Sequence, residues 1–363
     1  MRTARPAGGL CRRAVTGAAL ALALGAGAGS LRAQEPVAPA TADEHYARAN
    51  ELLVAGRPEE AAASLRAAIA LDPNHWQSHC RLGEIHAASR RMEEAEQELR
   101  KAVAINPDAG PCLSRLAQVL LAGERLQEAE PLLARAAGLM SQDESVLFNL
   151  GRLYERTSRP ELAVEIYRRQ LDAAPAGRRS AATTLKVARL LSSLGKPADA
   201  AQYFREYLEG DAGRHDVRAE LAASLFSASR YDEAMAEYDI LIGAGAADAA
   251  ALSNAGSICL LKQQLPRAVE LLDRAVAGSP REIPPRIALA MALAQSGDHE
   301  RTVTVLRGVT ADDPENGRAW FLMGQSLLKL GRAQEGREAI ARHQSIHEKL
   351  MRERMSGKPE GHP

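Results

Sequence analysis

Aromatic side chains are scarce in this chain: two Trp, seven Tyr and four Phe make up 4% of 363 residues. Packing therefore has to run on Ala, Gly and Leu, and an aromatic that faces a binding surface gains weight as a contact residue. Cysteine is scarce too, and four Cys are too few for a disulfide scaffold. No charge of one sign dominates. The 46 Lys and Arg stand against 46 Asp and Glu, which leaves no basic excess for a nucleic-acid footprint. Apolar residues are plentiful, and a 46% hydrophobic content excludes a disordered chain. The length suits two or three layered domains, or a repeat array, which has no such ceiling.

An uncharged Ala/Leu/Gly stretch, Ala14 to Gly29, follows Arg2, Arg5, Arg12 and Arg13 and precedes Leu31-Arg32-Ala33. Positive, then apolar, then small is the order of a secretory signal peptide. The 16-residue stretch is short beside the roughly 20 strongly apolar residues of a membrane-spanning helix. We expect residues 1–33 to be a signal peptide for Sec export, cleaved after Ala33, with 34–41 a short linker. The mature chain would be periplasmic or secreted, with no membrane insertion after cleavage. Gly8-Gly9-Leu10 ahead of Cys11 lacks the order of a lipoprotein signal. The first 33 residues hold five Arg and no acid, so the remainder has 41 basic against 46 acidic residues, a formal net charge of −5.

From there a period of 34 takes over. Small residues fall at Ala61, Ala95, Ala129, Ala163, Ala200, Ala234, Ala268, Thr302 and Gly336, every interval being 34 except one of 37. Twelve residues ahead of each stands a Gly or Ala: Ala49, Gly83, Ala117, Gly151, Ala188, Ala222, Gly256, Ala290 and Gly324. Pro73, Pro107, Pro175, Pro280 and Pro314 close five of the units. In one unit, Leu147, Leu150, Gly151 and Tyr154 share a helical face, Ser158-Arg159-Pro160 is a turn with Pro at a helix start, and Ala163, Tyr167 and Gln170 form a second stripe. Each unit is thus a helical hairpin whose small residues let two backbones approach. Neither helix can bury its stripe alone, so hairpins must stack.

Leu150-Gly151, Tyr154, Ala163, Tyr167 and Pro175, with Trp76, Leu82-Gly83, Ala95, Leu99, Ala102 and Pro107 in an earlier copy, resemble the tetratricopeptide repeat family. The resemblance implies an all-α solenoid, a right-handed superhelix of hairpins whose first helices line a concave groove. It divides the chain into nine units (42–75, 76–109, 110–143, 144–177, 181–214, 215–248, 249–282, 283–316 and 317–350), leaving 351–363 as the end of the last helix and a disordered tail. No room remains for a catalytic domain, and no cofactor motif occurs, so the expectation is a protein-binding scaffold that is not an enzyme. The family's clamp for a terminal carboxylate is not expected. Only Asn50 and Arg115 match it, with Tyr46, Arg81 and Pro111 in its other positions.

Three groove rows can be read at the 34-residue spacing. The first includes Tyr46, Phe148, Ile287 and Phe321; the second Asn50, Arg152, Arg189, Met291 and Gln325; the third Glu155, Phe226, Leu260 and Leu328. The C-terminal half is apolar and the middle mixed. We expect a peptide or helix of a protein partner there, and no nucleic acid. The other reading is a non-catalytic subunit of a cell-envelope assembly, such as polysaccharide export or secretion machinery. His75 and His79, with Cys80 and His86 nearby, are the metal-like cluster, its His read as core or half-buried rather than as metal ligands. Cys259 is expected buried. Cys80 and Cys112 lie on first helices of adjacent units; axes about 8 to 10 Å apart argue against a bridge that needs Cα atoms within roughly 7 Å. The last helix has no stop before Gly357 and should run to about Met355, either as a polar end cap carrying Arg342, Glu348, Lys349, Arg352 and Glu353 or with Ile340, His343, Ile346 and Leu350 offering a homodimer face.

Overall fold

The computed structural model describes residues 41–174 and 178–355. The expected signal peptide, the linker up to residue 40, Pro175 and the tail from 356 lie outside the described residues. Eighteen α-helices and no strand occur among the described residues. They follow as α1 (Ala42–Val54) and α2 (Pro58–Leu71), α3 (Trp76–Ala88) and α4 (Met92–Ile105), α5 (Gly110–Ala122) and α6 (Leu126–Leu139), α7 (Glu144–Arg156) and α8 (Pro160–Ala173), α9 (Ala181–Ser193) and α10 (Pro197–Gly210). The series continues with α11 (His215–Ser227) and α12 (Tyr231–Gly243), α13 (Ala249–Leu261) and α14 (Leu265–Gly278), α15 (Ile283–Gln295) and α16 (His299–Asp312), α17 (Gly317–Lys329) and α18 (Ala333–Met355). None is long and apolar enough to cross a membrane.

Local chemistry sets the helix ends. Thr41 makes a capping box with Glu44 at the start of α1, the Asp143 carboxylate accepts from the Ser145 and Val146 amides, and Pro58, Pro160 and Pro197 open α2, α8 and α10, where a missing N–H costs nothing. The turn inside every hairpin needs a left-handed residue. Gly56, Gly195, Gly297 and Gly331 supply it without strain, whereas Arg90, Glu124, Ser158, Ser229 and Gln263 take it at φ 55–60°.

The hairpins close on a small-against-large pairing sixteen residues apart in sequence. A Cβ on Gly83, Gly151, Gly256 or Gly324 would come within 2.5–2.7 Å of Leu99, Tyr167, Leu272 or Ile340 respectively. The same spacing sets Ala49 on Leu65, Ala117 on Leu133, Ala188 on Phe204, Ala222 on Tyr238 and Ala290 on Leu306, all fully or almost fully buried. Each such large side chain contributes about 1.5–3 kcal/mol by leaving water. Buried clusters then overlap from one unit to the next along the whole array, the one-dimensional packing of a solenoid. Ion pairs such as Arg125–Glu96 (2.8 Å), Arg159–Glu130 (2.6 Å) and Arg301–Asp273 (2.9 Å) link a second helix or its N-cap residue to the second helix of the preceding unit; exposed to solvent, they add little to stability.

Two sequence readings change here, and a buried ion pair joins them. Cys80 and Cys112 form a disulfide, their Cα atoms 5.6 Å apart. Axis separation is not Cα separation, because each Cα stands about 2.3 Å off its axis toward the neighbour. Arg286 is buried, its guanidinium donating to Asp312 at 2.5 Å in space that Gly308 leaves free. Finally, α18 does run to Met355, but its apolar stripe points inward. Ile346 is buried, Ile340 packs on Gly324, and His343 Nδ1 hydrogen-bonds the Gly317 carbonyl at 3.0 Å. The helix keeps the register of every other second helix, so of the four dimer residues Leu350 alone is exposed. Cys259 and the three His of the metal-like cluster are buried as expected.

Candidate peptide-binding groove

First helices are 13 residues each, and their outer flank is set by the small residue that faces the second helix. With that residue as origin and about 100° per residue, the third, first and second rows stand about 40°, 60° and 100° round the helix. The two lower angles lie nearest the packed face, which is why Leu260 and Ile287, expected in the groove, are only 8% exposed and belong to the core. Phe321 and Leu328 have the same angles yet are 38% and 43% exposed, because among the described residues no further first helix covers α17. A fourth row, at about 140°, was missed in the sequence. It includes Arg156, Ser227, Leu261, Gln295 and Lys329, all exposed. The signal was the same 34-residue spacing, one residue further along.

The rows enclose cavities at the seams between units. One of about 420 Å³ lies between α3 and α5, one of about 260 Å³ between α5 and α7, one of about 400 Å³ between α9 and α11, and one of about 450 Å³ between α15 and α17. Arg152 lines the second, while Met291, Gln325 and Leu328 line the last. Tyr46, Asn50, Phe148, Glu155 and Phe226 are half-buried and line none of these four. The Tyr46 ring rests on His75 at 5.5 Å, Phe148 on Tyr167 at 5.9 Å and Phe226 on Tyr231 at 5.7 Å.

Most groove charges neutralise one another. Glu84 accepts from Arg81 at 2.6 Å and Arg115 at 3.2 Å, Lys186 pairs with Glu155 at 2.9 Å, and Arg189 pairs with Glu220 at 2.7 Å. Tyr167 also donates to Glu155, and burial together with that bond holds its phenol above the ordinary range. Arg189 and Glu155 are therefore spent within the array. Arg152, with its guanidinium 6.0 Å from the Phe148 ring centroid, has no carboxylate partner among the described residues. Among the described residues no three His, Cys, Asp or Glu side chains gather as a metal site. His79 Nδ1 is held by Glu98 at 2.6 Å and its Nε2 by the Pro73 carbonyl at 3.0 Å.

A tetratricopeptide repeat model matches residues 46–110 and 220–283, a second model of that repeat matches 144–248, and a model described as anaphase-promoting complex, cyclosome, subunit 3 matches 262–343. The chain belongs to the tetratricopeptide repeat family. Among solved structures it is similar to YrrB, described as a TPR protein with an unusual peptide-binding site, at 21% identity over 52% of this chain and 95% of that one, with a TM-score of 0.43. A tetratricopeptide repeat protein from Parabacteroides merdae is 16% identical over 69% of this chain and 98% of its own, TM-score 0.41. MamA from Desulfovibrio magneticus is 19% identical over 48% and 96%, TM-score 0.41. No curated protein sequence matches the chain.

Proposed function

We propose that this tetratricopeptide repeat chain is an exported scaffold that takes a peptide or helix of a protein partner along the first-helix groove, with no catalysis of its own. The observation that carries the reading is the series of seam cavities, set beside an unpaired Arg152 stacked on Phe148. Concave, largely apolar sites with a few fixed polar groups are where ligands bind, and aromatic and Arg anchors dominate interface energy. Export is supported by the order of positive, apolar and small residues in 1–33 and by the Cys80–Cys112 disulfide, since such bonds persist in oxidising compartments.

Panning a random-peptide display library against the full chain tests the groove. Selected peptides should bind the wild type and lose affinity in Arg152→Glu, with helical circular dichroism unchanged. Peptides indifferent to that substitution and to Phe321→Ala would place recognition elsewhere. Export is checked by sequencing the N-terminus of the chain recovered from its native cell, which should begin at Gln34.

A further inference from the structure

The cavity between α15 and α17 differs in charge from those between α3 and α5 and between α9 and α11, and it is larger than the α5–α7 cavity, about 450 against 260 Å³, whose lining also lacks a carboxylate. In the α3–α5 cavity Glu84 and Arg115 face each other in an ion pair, and in the α9–α11 cavity Glu220 is tied to Arg189. The α15–α17 cavity has no carboxylate in its lining. Its walls are Met291, Ala294, Leu322 and Leu328, and Lys329 is the cation at its edge. Arg318 reaches along the same seam, its guanidinium 3.0 Å from the Met291 sulfur. Neither Lys329 nor Arg318 has a carboxylate partner among the described residues, although most groove cations do. The buried Nδ1 of His299, also in the lining, has no hydrogen-bond partner. The apolar surface beside it, Phe321 and Leu328, is exposed, with no further first helix over it among the described residues.

Resting on the groove reading above, we infer that this cavity is the anchor for an acidic peptide: one large apolar side chain of the partner fills it, and a flanking Asp or Glu pairs with Lys329. A volume of about 450 Å³ lies toward the low end of ligand sites, room for an apolar side chain with its flanking residues but not for a folded element. Positive charge without a local counter-ion selects an anionic occupant by complementarity. The apolar walls require that the anion carry a hydrophobic neighbour, since desolvating Met291 and Leu328 is favourable only against apolar surface.

The test uses fluorescein-labelled synthetic peptides and the full chain. A Gly/Ser peptide with a Glu-Leu-Glu core should bind, and Lys-Leu-Lys and Glu-Ala-Glu cores should bind at least about tenfold more weakly, the scale of losing a charge pair or an anchor. Lys329→Glu, an exposed substitution, should reverse the preference for Glu over Lys, and Met291→Trp, which fills the cavity, should abolish binding. Arg337→Glu, the same charge change on the outer face of α18, should leave both unchanged. An unaltered Glu/Lys preference in Lys329→Glu would overturn the anchor. So would binding of a fatty acid in place of all three peptides. If library-selected peptides still depend on Arg152 while Lys329→Glu and Met291→Trp bind them normally, the anchor falls and the groove reading stands. A library that yields no binder removes both.

Discussion

Reducing the Cys80–Cys112 bond should loosen the N-terminal end of the array far more than its middle. The bond closes a loop of sequence separation 32 between α3 and α5, and freeing a loop of that length returns about 3.7 kcal/mol of chain entropy to the unfolded ensemble. A Cα separation of 5.6 Å lies inside the range that a disulfide spans without moving the backbone. Because hairpins contact their neighbours and little else, the loss should stay local. The assay is native-state hydrogen exchange on oxidised and reduced chain. Where opening breaks the loop, 3.7 kcal/mol corresponds to roughly a 500-fold fall in protection of α3 and α5 amides, with α13 and α14 unaffected. Cys259 does not confuse the experiment, since it is free but buried and burial pushes its thiol up. Cys80→Ala with Cys112→Ala should reproduce the reduced state, plus a small packing loss. Equal protection of α3 and α5 in oxidised and reduced chain would refute the argument.

Gly324→Ala should cost about 1–3 kcal/mol in urea unfolding, because its Cβ would lie 2.7 Å from Ile340 and 3.0 Å from the Gly336 carbonyl, which is backbone. Gly138→Ala, with nothing within 4 Å in α6, should instead gain about 0.5–1 kcal/mol from helix propensity; a loss there would contradict the packing description. The His79–Glu98 hydrogen bond pulls Glu98 down to about 2 and raises His79. The contribution of Glu98 is therefore lost as pH falls toward 2 and that of His79 as pH rises through its raised value, leaving α3 and α4 best protected between the ordinary values of 4.5 and 6.5. An NMR titration should find His79 above 6.5 and lowered in Glu98→Gln, and an unmoved His79 would reject the assignment.

The hairpins were legible because their packing is a rule about residue size at fixed spacing. Gly151 against Tyr167 and Gly256 against Leu272 write it in sequence, and the family resemblance rested on those same positions. The groove was legible only in part. Spacing fixes which residues share a row, yet it does not say how far round the helix solvent begins. Leu260 and Leu328 share a row and differ in exposure because, among the described residues, one has a covering neighbour and the other does not. The disulfide was missed by comparing axis distances with a Cα limit. Arg286 was invisible, since its pairing depends on Asp312 and on the absence of a side chain at Gly308, residues far apart in sequence. The inward stripe of α18 was misjudged because a long terminal helix can bury the same apolar face against its own hairpin or against a second copy.

The four groove cavities lie on seams between units, whereas the small-against-large pairs lock the two helices within a unit. A hairpin is therefore a stiff lever and each seam a hinge. A side chain that wedges into one seam turns everything beyond it by the same small angle, and such turns add along the array. An occupant wedged into one seam would thereby change the distance between the two ends of the array. The Cys80–Cys112 bond takes one hinge out of that series at the N-terminal side.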